Sequence, residues 1–209
     1  MRKHVWSTLA VLSFTIPTVA LAQAPMSATY ITAEQVQEIN ALPGVDRQII
    51  SRDIGKLNLS VGVIHRGATR PRTIGGGGGA ATDPTRSCGV SDGPLSGARG
   101  IAHEHQTETY IIISGAGTLV TGGQIMNGRR SAPDGRVTMI LNGPSCSGVI
   151  VGEVQSRDVK VGDLVIIPAG VPHGWSNIPD HVDYLSVRPD PDRVLPDDYV
   201  NPAIEIRGN

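Results

Sequence analysis

Two stretches of the sequence decide the fold. The first, GARGIAHEHQTETYIIISG, occupies residues 97–115, and the second, GDLVIIPAGVPHGWSN, occupies residues 162–177. In the first stretch His103 and His105 stand two residues apart, so on an extended chain both imidazoles face one side and can reach one ion. In the second, two prolines and a glycine precede His173 and form a rigid turn that can direct this ring inward. Neutral imidazoles suit Zn, Cu, Fe and Ni, and a carboxylate extends the choice to Mn.

The spacing within both stretches resembles the two motifs of the cupin superfamily. The first motif runs Gly, five residues, His-x-His, three or four residues, Glu, six residues, Gly, and its counterparts are Gly97, His103, His105, Glu108 and Gly115. The second motif runs Gly, five residues, Pro-x-Gly, two residues, His, three residues, Asn, and its counterparts are Gly162, Pro168, Gly170, His173 and Asn177. Every spacing of the second motif is matched.

One departure from the first motif concerns the carboxylate. Only Gln106 and Thr107 separate His105 from Glu108, which is one residue fewer than in the family pattern. A shift of one residue within a strand turns a side chain to the other face, whereas a short loop can absorb the missing residue. Glu108 stays the expected ligand, and Glu104, which alternates with the histidines, is the less favoured substitute.

The resemblance implies an all-β fold, a cupin-type jelly-roll β-barrel with one divalent metal ion inside its mouth. By family analogy the ligands are His103, His105, Glu108 and His173. Three neutral imidazoles and one carboxylate around such an ion carry a net charge of about +1. Six-coordination would leave positions open for water, oxygen or substrate, and the ion is expected to be Mn, Fe, Zn, Ni or Cu.

Several further side chains are candidates for the site or its surroundings. Tyr110 lies two residues after Glu108, so strand alternation places its ring in the same cavity, where its hydroxyl is a candidate catalytic group. A core tyrosine is the equal alternative. Trp175 is expected to pack, with covering of the pocket as its alternative role. The other polar candidates are expected at the rim, in solvated loops or within a turn: His65, His181, Arg129, Arg130 and Asn177.

The N-terminus predicts export. Residues 2–4 are basic, residues 5–19 are mostly apolar, and residues 20–22 form a small-residue cleavage site. The apolar segment has about 15 residues and contains Pro17, so it is too short and too broken to span a bilayer. Cleavage after Ala22 would leave 187 residues, enough for one domain, in the periplasm or outside the cell.

Charge and aromatic content exclude nucleic acid as a partner. The signal segment carries two of the 18 Lys and Arg and none of the 19 Asp and Glu, so its removal leaves a net charge of −3. Such a chain gains no affinity from phosphate neutralisation, and it keeps too few aromatic residues for base stacking. The expected partner is a small molecule, with no membrane contact after cleavage. Because cupins often dimerise through edge strands, the resemblance also suggests a homodimer.

The remaining sequence predicts one domain without an internal repeat. It divides into a leader with a short helix (23–56), the barrel (57–190) with a flexible glycine-rich insertion (66–97, including Gly75–Gly79), and a tail (191–209). The helix is indicated by the capping-box spacing of Thr32 and Gln35 and by the apolar Val36 and Ile39. Alternation and β-branched runs predict strands at 57–63, 111–113, 118–120, 137–141, 148–154, 164–167 and 182–187, with a polar loop at 122–135.

Cys88 and Cys146 would meet an oxidising compartment after export, which favours a disulfide over two free thiols. A bond between them closes a loop of about 60 residues and is worth roughly 2–4 kcal/mol.

Two functions compete at this point. The first is a secreted enzyme (an isomerase, lyase, decarboxylase or dioxygenase) that uses the ion as a Lewis acid or oxygen-activating centre on a small hydroxy or carboxylate substrate. The second is a non-catalytic small-molecule-binding or storage-like protein with a structural metal. A buried set of histidines and a carboxylate is costly without an ion, which favours metal binding in both cases.

Overall fold

A computed structural model describes residues 28–69, 84–91, 93 and 96–205. The predicted signal segment, its cleavage site and Gly75–Gly79 lie outside the described residues. No helix among the described residues has the length and apolar character needed to cross a membrane.

The described chain consists mainly of β-strands. Its one α-helix is α1 (Ala33–Asn40). The strands are β1 (Asp46–Asp53), β2 (Asn58–Gly67), β3 (Ser87–Cys88), β4 (Arg99–His103), β5 (Glu108–Arg130), β6 (Ser145–Lys160), β7 (Leu164–Ile167), β8 (His173–Asn177) and β9 (His181–Asp190). A 3-10 turn at Pro84–Arg86 and a π-helical turn at Val137–Leu141 complete the secondary structure.

Antiparallel pairing arranges the strands in two layers that share the long strand β5. The first part of β5 pairs with β9 on one side and β7 on the other, and β9 continues to β2 and β1. The later part of β5 pairs with β6, which continues to β4 and β8, and β8 returns to β5. This is the predicted all-β jelly-roll arrangement, although the barrel is not cleanly closed.

Helix α1 begins as its sequence predicts. The Thr32 hydroxyl accepts the Gln35 backbone N–H, and the Gln35 side chain accepts the Thr32 N–H, which is the reciprocal capping box. The helix buries Ile39 against Ile49 and Val63 of the β1–β2 pair. This packing covers the β1–β2 part of the first layer.

Three segments differ from the strand and loop predictions. β1 lies ahead of the predicted start of the barrel at residue 57, and its buried polar residues Arg47 and Gln48 hide its apolar pattern. Residues 137–141 form the π-helical turn instead of a strand, with the Asn142 N–H donating to the Val137 carbonyl oxygen (2.9 Å) and the Thr138 hydroxyl to the Ala132 carbonyl oxygen (2.7 Å). Residues 122–130 continue β5 instead of forming a loop.

Residues 122–130 resemble a loop in sequence because β5 is irregular there. The pairing of β5 with β6 shifts register between Gly122 and Gln124 and again between Met126 and Arg129. Gly122 and Gly123 have φ values of +87° and +69°, which glycine adopts without strain. The glycines that indicated a turn therefore serve an irregularity within a strand.

The disulfide between Cys88 and Cys146 is present and joins β3 to β6. The two residues are 58 positions apart, and Cys146 packs with the buried Val120, Ile125 and Ile150. The bond therefore ties the later part of the predicted insertion (66–97) to the second layer.

The interior has an apolar half and a polar half. The apolar half is a cluster of buried aromatic and aliphatic side chains: Ile64, Tyr110, Ile112, Leu119, Val159, Ile167, Trp175, Ile178, Val182 and Tyr184. The polar half contains buried polar and charged side chains: Gln48, His103, Gln106, Glu108, Asn142, Ser145, His173, Ser186, Arg188 and Asp190. The candidate site lies in the polar half.

Candidate metal centre

Three buried side chains from three strands meet in the polar half. His103 ends β4, Glu108 begins β5 and His173 begins β8, and one ligand atom from each lies within 4.8 Å of the others. Their exposed fractions are 4%, 1% and 3%. Within the described ranges, no other group of three or more His, Cys, Asp or Glu side chains has this geometry.

Strand pairing and one turn bring the two motifs together. β4 and β8 are neighbours, with Ile101 opposite His173. The turn before β8 is held against the end of β4, because the Gly170 N–H donates to the His103 carbonyl oxygen (2.7 Å). Gly170 has a φ of +80°, a conformation that favours glycine at this position.

Hydrogen bonds determine the tautomers of both imidazoles. The Ser145 hydroxyl donates to the Gly143 carbonyl oxygen (2.9 Å), so it accepts from Nδ1–H of His103 (2.8 Å). In His173, Nδ1–H donates to the Val171 carbonyl oxygen (3.0 Å). In the neutral form each ring therefore presents the lone pair of Nε2 to the centre.

Both lone pairs face the same carboxylate oxygen. His103 Nε2 and His173 Nε2 each lie 3.1 Å from Oε2 of Glu108. Although His173 Nε2 lies at ion-pair distance, it is buried without hydrogen-bond geometry to any partner. Two ring nitrogens and a carboxylate oxygen with no proton between them form a set of donors that suits a divalent cation.

Glu108 is held from several directions. Its Oε2 accepts the Tyr110 hydroxyl (2.8 Å), and its Oε1 accepts from Asn142 Nδ2 (3.0 Å), the Ser186 hydroxyl (2.8 Å) and Arg188 Nε (2.9 Å). These bonds orient the carboxylate and leave Oε2 as the oxygen that faces the two imidazoles. Such surrounding contacts are the usual support of a metal ligand.

The charges of the centre are balanced internally. Burial alone would raise the pKa of Glu108, but the neighbouring His103 imidazole and the Arg188 guanidinium outweigh it and hold this pKa well below its ordinary value. Burial lowers the pKa of the His103 imidazole, with Glu108 opposing this, so the ring is neutral and can act as a ligand. Burial and the Glu108 charge both raise the pKa of Tyr110, which keeps its hydroxyl protonated.

Arg188 links the centre to β1. Its side chain is fully buried and donates from Nη1 to Oε1 of Gln48 (2.9 Å) and from Nη2 to Oδ2 of Asp46 (2.6 Å). Burial disfavours its charge, but Asp46 and Glu108 raise the pKa of the guanidinium above its usual value. Arg188 is thus a cation shared between two carboxylates.

The structure does not bring His105 to the centre. Regular β4 pairing ends at His103, so residues 104 and 105 form a bend and the alternation that placed both histidines on one face is lost. The His105 side chain is exposed, and its Nδ1 lies 3.1 Å from Oδ2 of Asp192. Glu104, the substitute carboxylate, is also exposed and forms an ion pair with Arg130.

The other sequence candidates lie away from the three ligands. Trp175 is buried in the apolar half, with its ring centroid 5.6 Å from that of Tyr184, so it has the expected packing role. His65 contacts Asp183, and His181 contacts Ser114 and Asp180. The exposed candidates are Asn177 at the end of β8 and Arg129 and Arg130 at the end of β5.

Sequence reasoning missed four side chains that contact the centre. Asn142, Ser145, Ser186 and Arg188 all bond to His103 or Glu108. Only Ser186 and Arg188 carried a signal, because they continue on β9 the inward positions of Val182 and Tyr184. A polar or charged residue at an inward position of a strand is a sign of a buried site.

This chain has distant matches among solved structures and none among protein-family models. A scan against protein-family models and a search of curated proteins find no match to this chain. Among solved structures, an RmlC-like cupin family protein from Methanocaldococcus jannaschii has 13% identity over 71% of this chain and 85% of its own, with a TM-score of 0.33. A Klebsiella pneumoniae protein with a double-stranded β-helix domain has 16% identity over 85% and 93%, with a TM-score of 0.35.

An enzyme also appears among these structures. The oxalate decarboxylase of Lactobacillus farciminis, solved as a formate complex, has 14% identity over 73% of this chain and 34% of its own, with a TM-score of 0.30. At such identities a likeness extends to the fold alone. Of these three structures, one is described as an RmlC-like cupin and one as having a double-stranded β-helix domain.

Proposed function

We propose that this chain is a secreted cupin that binds one divalent metal ion through His103, Glu108 and His173 and acts as an enzyme on a small polar molecule. The observation that carries the proposal is the buried Nε2 of His173, which has no hydrogen-bond partner and faces Oε2 of Glu108. A cation between these atoms would satisfy both, whereas without one two lone pairs and a negative oxygen repel each other.

The donor set fits such an ion. With two neutral imidazoles and one carboxylate, a site that holds a divalent ion has a net charge of about +1. Mn, Fe, Ni, Cu and Zn accept more than three ligands, so coordination positions stay open. When bound, the ion would supply Lewis-acid or oxygen-activating chemistry on a hydroxy or carboxylate substrate. The expected identity of the metal stays open among these five.

The residues around the ligands have supporting roles in this proposal. Arg188 and Asn142 fix the carboxylate of Glu108 through Oε1, so that Oε2 faces the imidazoles. Tyr110 holds its proton because burial and Glu108 raise its pKa, and it can therefore donate a hydrogen bond at Oε2. This placement keeps Tyr110 as the candidate group for donating a proton or hydrogen bond to a substrate.

A second function is favoured by the burial of the ligands. All three side chains are at most 4% exposed, and four neighbouring side chains already bond to Glu108. Buried ligands that solvent hardly reaches suit a metal ion that holds the fold together. The alternative is therefore a non-catalytic small-molecule-binding or storage-like cupin with a structural metal.

The metal content of the exported protein tests the binding site. We expect His103→Ala and His173→Ala each to lower the ratio of metal to protein strongly, because each removes a nitrogen ligand. His181→Ala is the matched control, since His181 contacts Ser114 and Asp180 and no ligand, and it should retain the metal. Equal metal content in all four proteins would refute the site.

Two further measurements test export and activity. The mass of the protein from the exported fraction should correspond to cleavage after Ala22. A screen of small hydroxy acids, sugar acids and phenols, with and without a chelator, separates the two functions. Chelator-sensitive turnover supports the enzyme, and tight metal without turnover supports the binding protein.

A further inference from the structure

Gln106 is the one buried residue in the connection between β4 and β5. Glu104 and His105 are exposed and Thr107 is half-buried, whereas Gln106 is 1% exposed. It lies three residues after His103 and two before Glu108, so a candidate metal ligand flanks the connection at each end. An inward-facing polar side chain at this place requires a partner.

The amide of Gln106 has a defined orientation. Its Nε2 donates to Oδ1 of Asp190 (2.8 Å), and the Asp190 carboxylate also accepts the N–H groups of Val194 (3.1 Å) and Leu195 (2.8 Å). Because the Asp190 carboxylate acts here as an acceptor, the nitrogen of the amide faces it and the oxygen points elsewhere.

The oxygen of this amide has no partner. Gln106 Oε1 is buried without a hydrogen bond, as is Nε2 of His173. A buried carbonyl oxygen left in this state is destabilising. Of the six such atoms among the described residues, these two belong to the two motif stretches that the fold brings together, which suggests a shared partner.

The position of the side chain agrees with this. A Cβ on Gly143 would lie 3.9 Å from Cγ of Gln106. Gly143 belongs to the short segment 142–145, which also supplies Asn142 and Ser145. Asn142 contacts His103 and Glu108, and Ser145 contacts His103. Gln106 therefore packs against the segment that supports the centre.

We propose that Oε1 of Gln106 is a further ligand of the metal ion, in the role that the motif spacing assigns to His105. This inference rests on the proposed metal-binding function. The missing residue between His105 and Glu108 turns His105 outward and Gln106 inward, so a neutral oxygen replaces a neutral nitrogen. The charge of the site is unchanged, and an amide oxygen shifts the preference towards Mn over softer ions.

Cobalt titration of the exported protein, after its own metal has been removed, tests the assignment. The dissociation constant for Co²⁺ comes from competition with a chelating dye, and the visible spectrum of bound Co²⁺ reports its coordination. Gln106→Ala and Gln106→Leu should each weaken binding on the order of tenfold or more and change the spectrum.

His105→Ala is the matched control and should leave both affinity and spectrum unchanged. The ratio of Mn²⁺ to Zn²⁺ affinity should fall in Gln106→Ala. Parental affinity and spectrum in both Gln106→Ala and Gln106→Leu would overturn the inference and leave the proposed function intact. A loss of Co²⁺ affinity in His105→Ala instead would have the same meaning. A parent protein that binds none of these ions would overturn both.

Discussion

The apolar and polar halves of the interior are built on the same strands but differ in what their inward positions carry. On β9, Val182 and Tyr184 face the apolar half, and Ser186, Arg188 and Asp190 continue the same alternation into the polar half. The backbone geometry is the same in both. The side-chain chemistry alone decides which part of the interior is a core and which part is a site.

The two halves are also stabilised differently. Residues of the apolar half contribute by the area that they remove from water, and the contribution is graded with size. In the polar half a buried group is favourable only together with its partners, so that loss of one member leaves others unpaired. Substitutions should therefore have graded effects in the first half and steep effects in the second.

Arg188→Met should have the largest effect. It leaves the carboxylates of Glu108 and Asp46 without their shared cation, and breaking a buried ion pair in this way costs about 3–5 kcal/mol. Urea denaturation of the metal-free protein measures this change in the free energy of unfolding. A loss below about 1 kcal/mol, the size expected for an exposed pair, would show that the two halves do not differ in this respect.

Reduction of the disulfide should have the next largest effect. Cys146 adjoins Ser145, which supports His103, so the bond restrains the polar half from outside. Its loss should lower the free energy of unfolding by roughly 2–4 kcal/mol. Thermal melts with and without reductant measure this, and Cys88→Ser with Cys146→Ser should match the reduced protein. An identical melting temperature with reductant would contradict the prediction.

Ile112→Val should have the smallest effect. Ile112 is 2% exposed in the apolar half, and removal of one buried methyl group costs about 0.5–1.5 kcal/mol. Metal affinity should stay at the parental value, because Ile112 contacts the core and none of the ligands. If affinity and stability fell together, the two halves would be coupled and the comparison would need revision.

The sequence predicts most of the fold because turn residues and alternation are local signals. It fails at β1, where Arg47 and Gln48 are buried and the pattern of an amphipathic strand is absent. It also fails at Val137–Leu141, where β-branched residues favour a strand but the Asn142 N–H bonds back to Val137 and closes a π-helical turn. Both failures come from contacts that sequence periodicity does not contain.

For the site, motif spacing pointed to His103, Glu108 and His173 but also to His105. Parity places His105 beside His103 only if the strand continues, and β4 ends at His103. Arg188 lies 80 residues from Glu108 in the chain, so no local pattern could connect them. The supporting contacts of the centre became visible only when the layers were assembled.

The bond from Arg188 to Asp46 has a consequence for the outermost strand. β1 supplies no ligand and is the last strand of its layer, yet it delivers the second carboxylate that holds the arginine. A chain shortened through residue 53 would keep every candidate ligand while losing this anion. The N-terminal strand therefore belongs to the architecture of the centre as much as the strands that reach it directly.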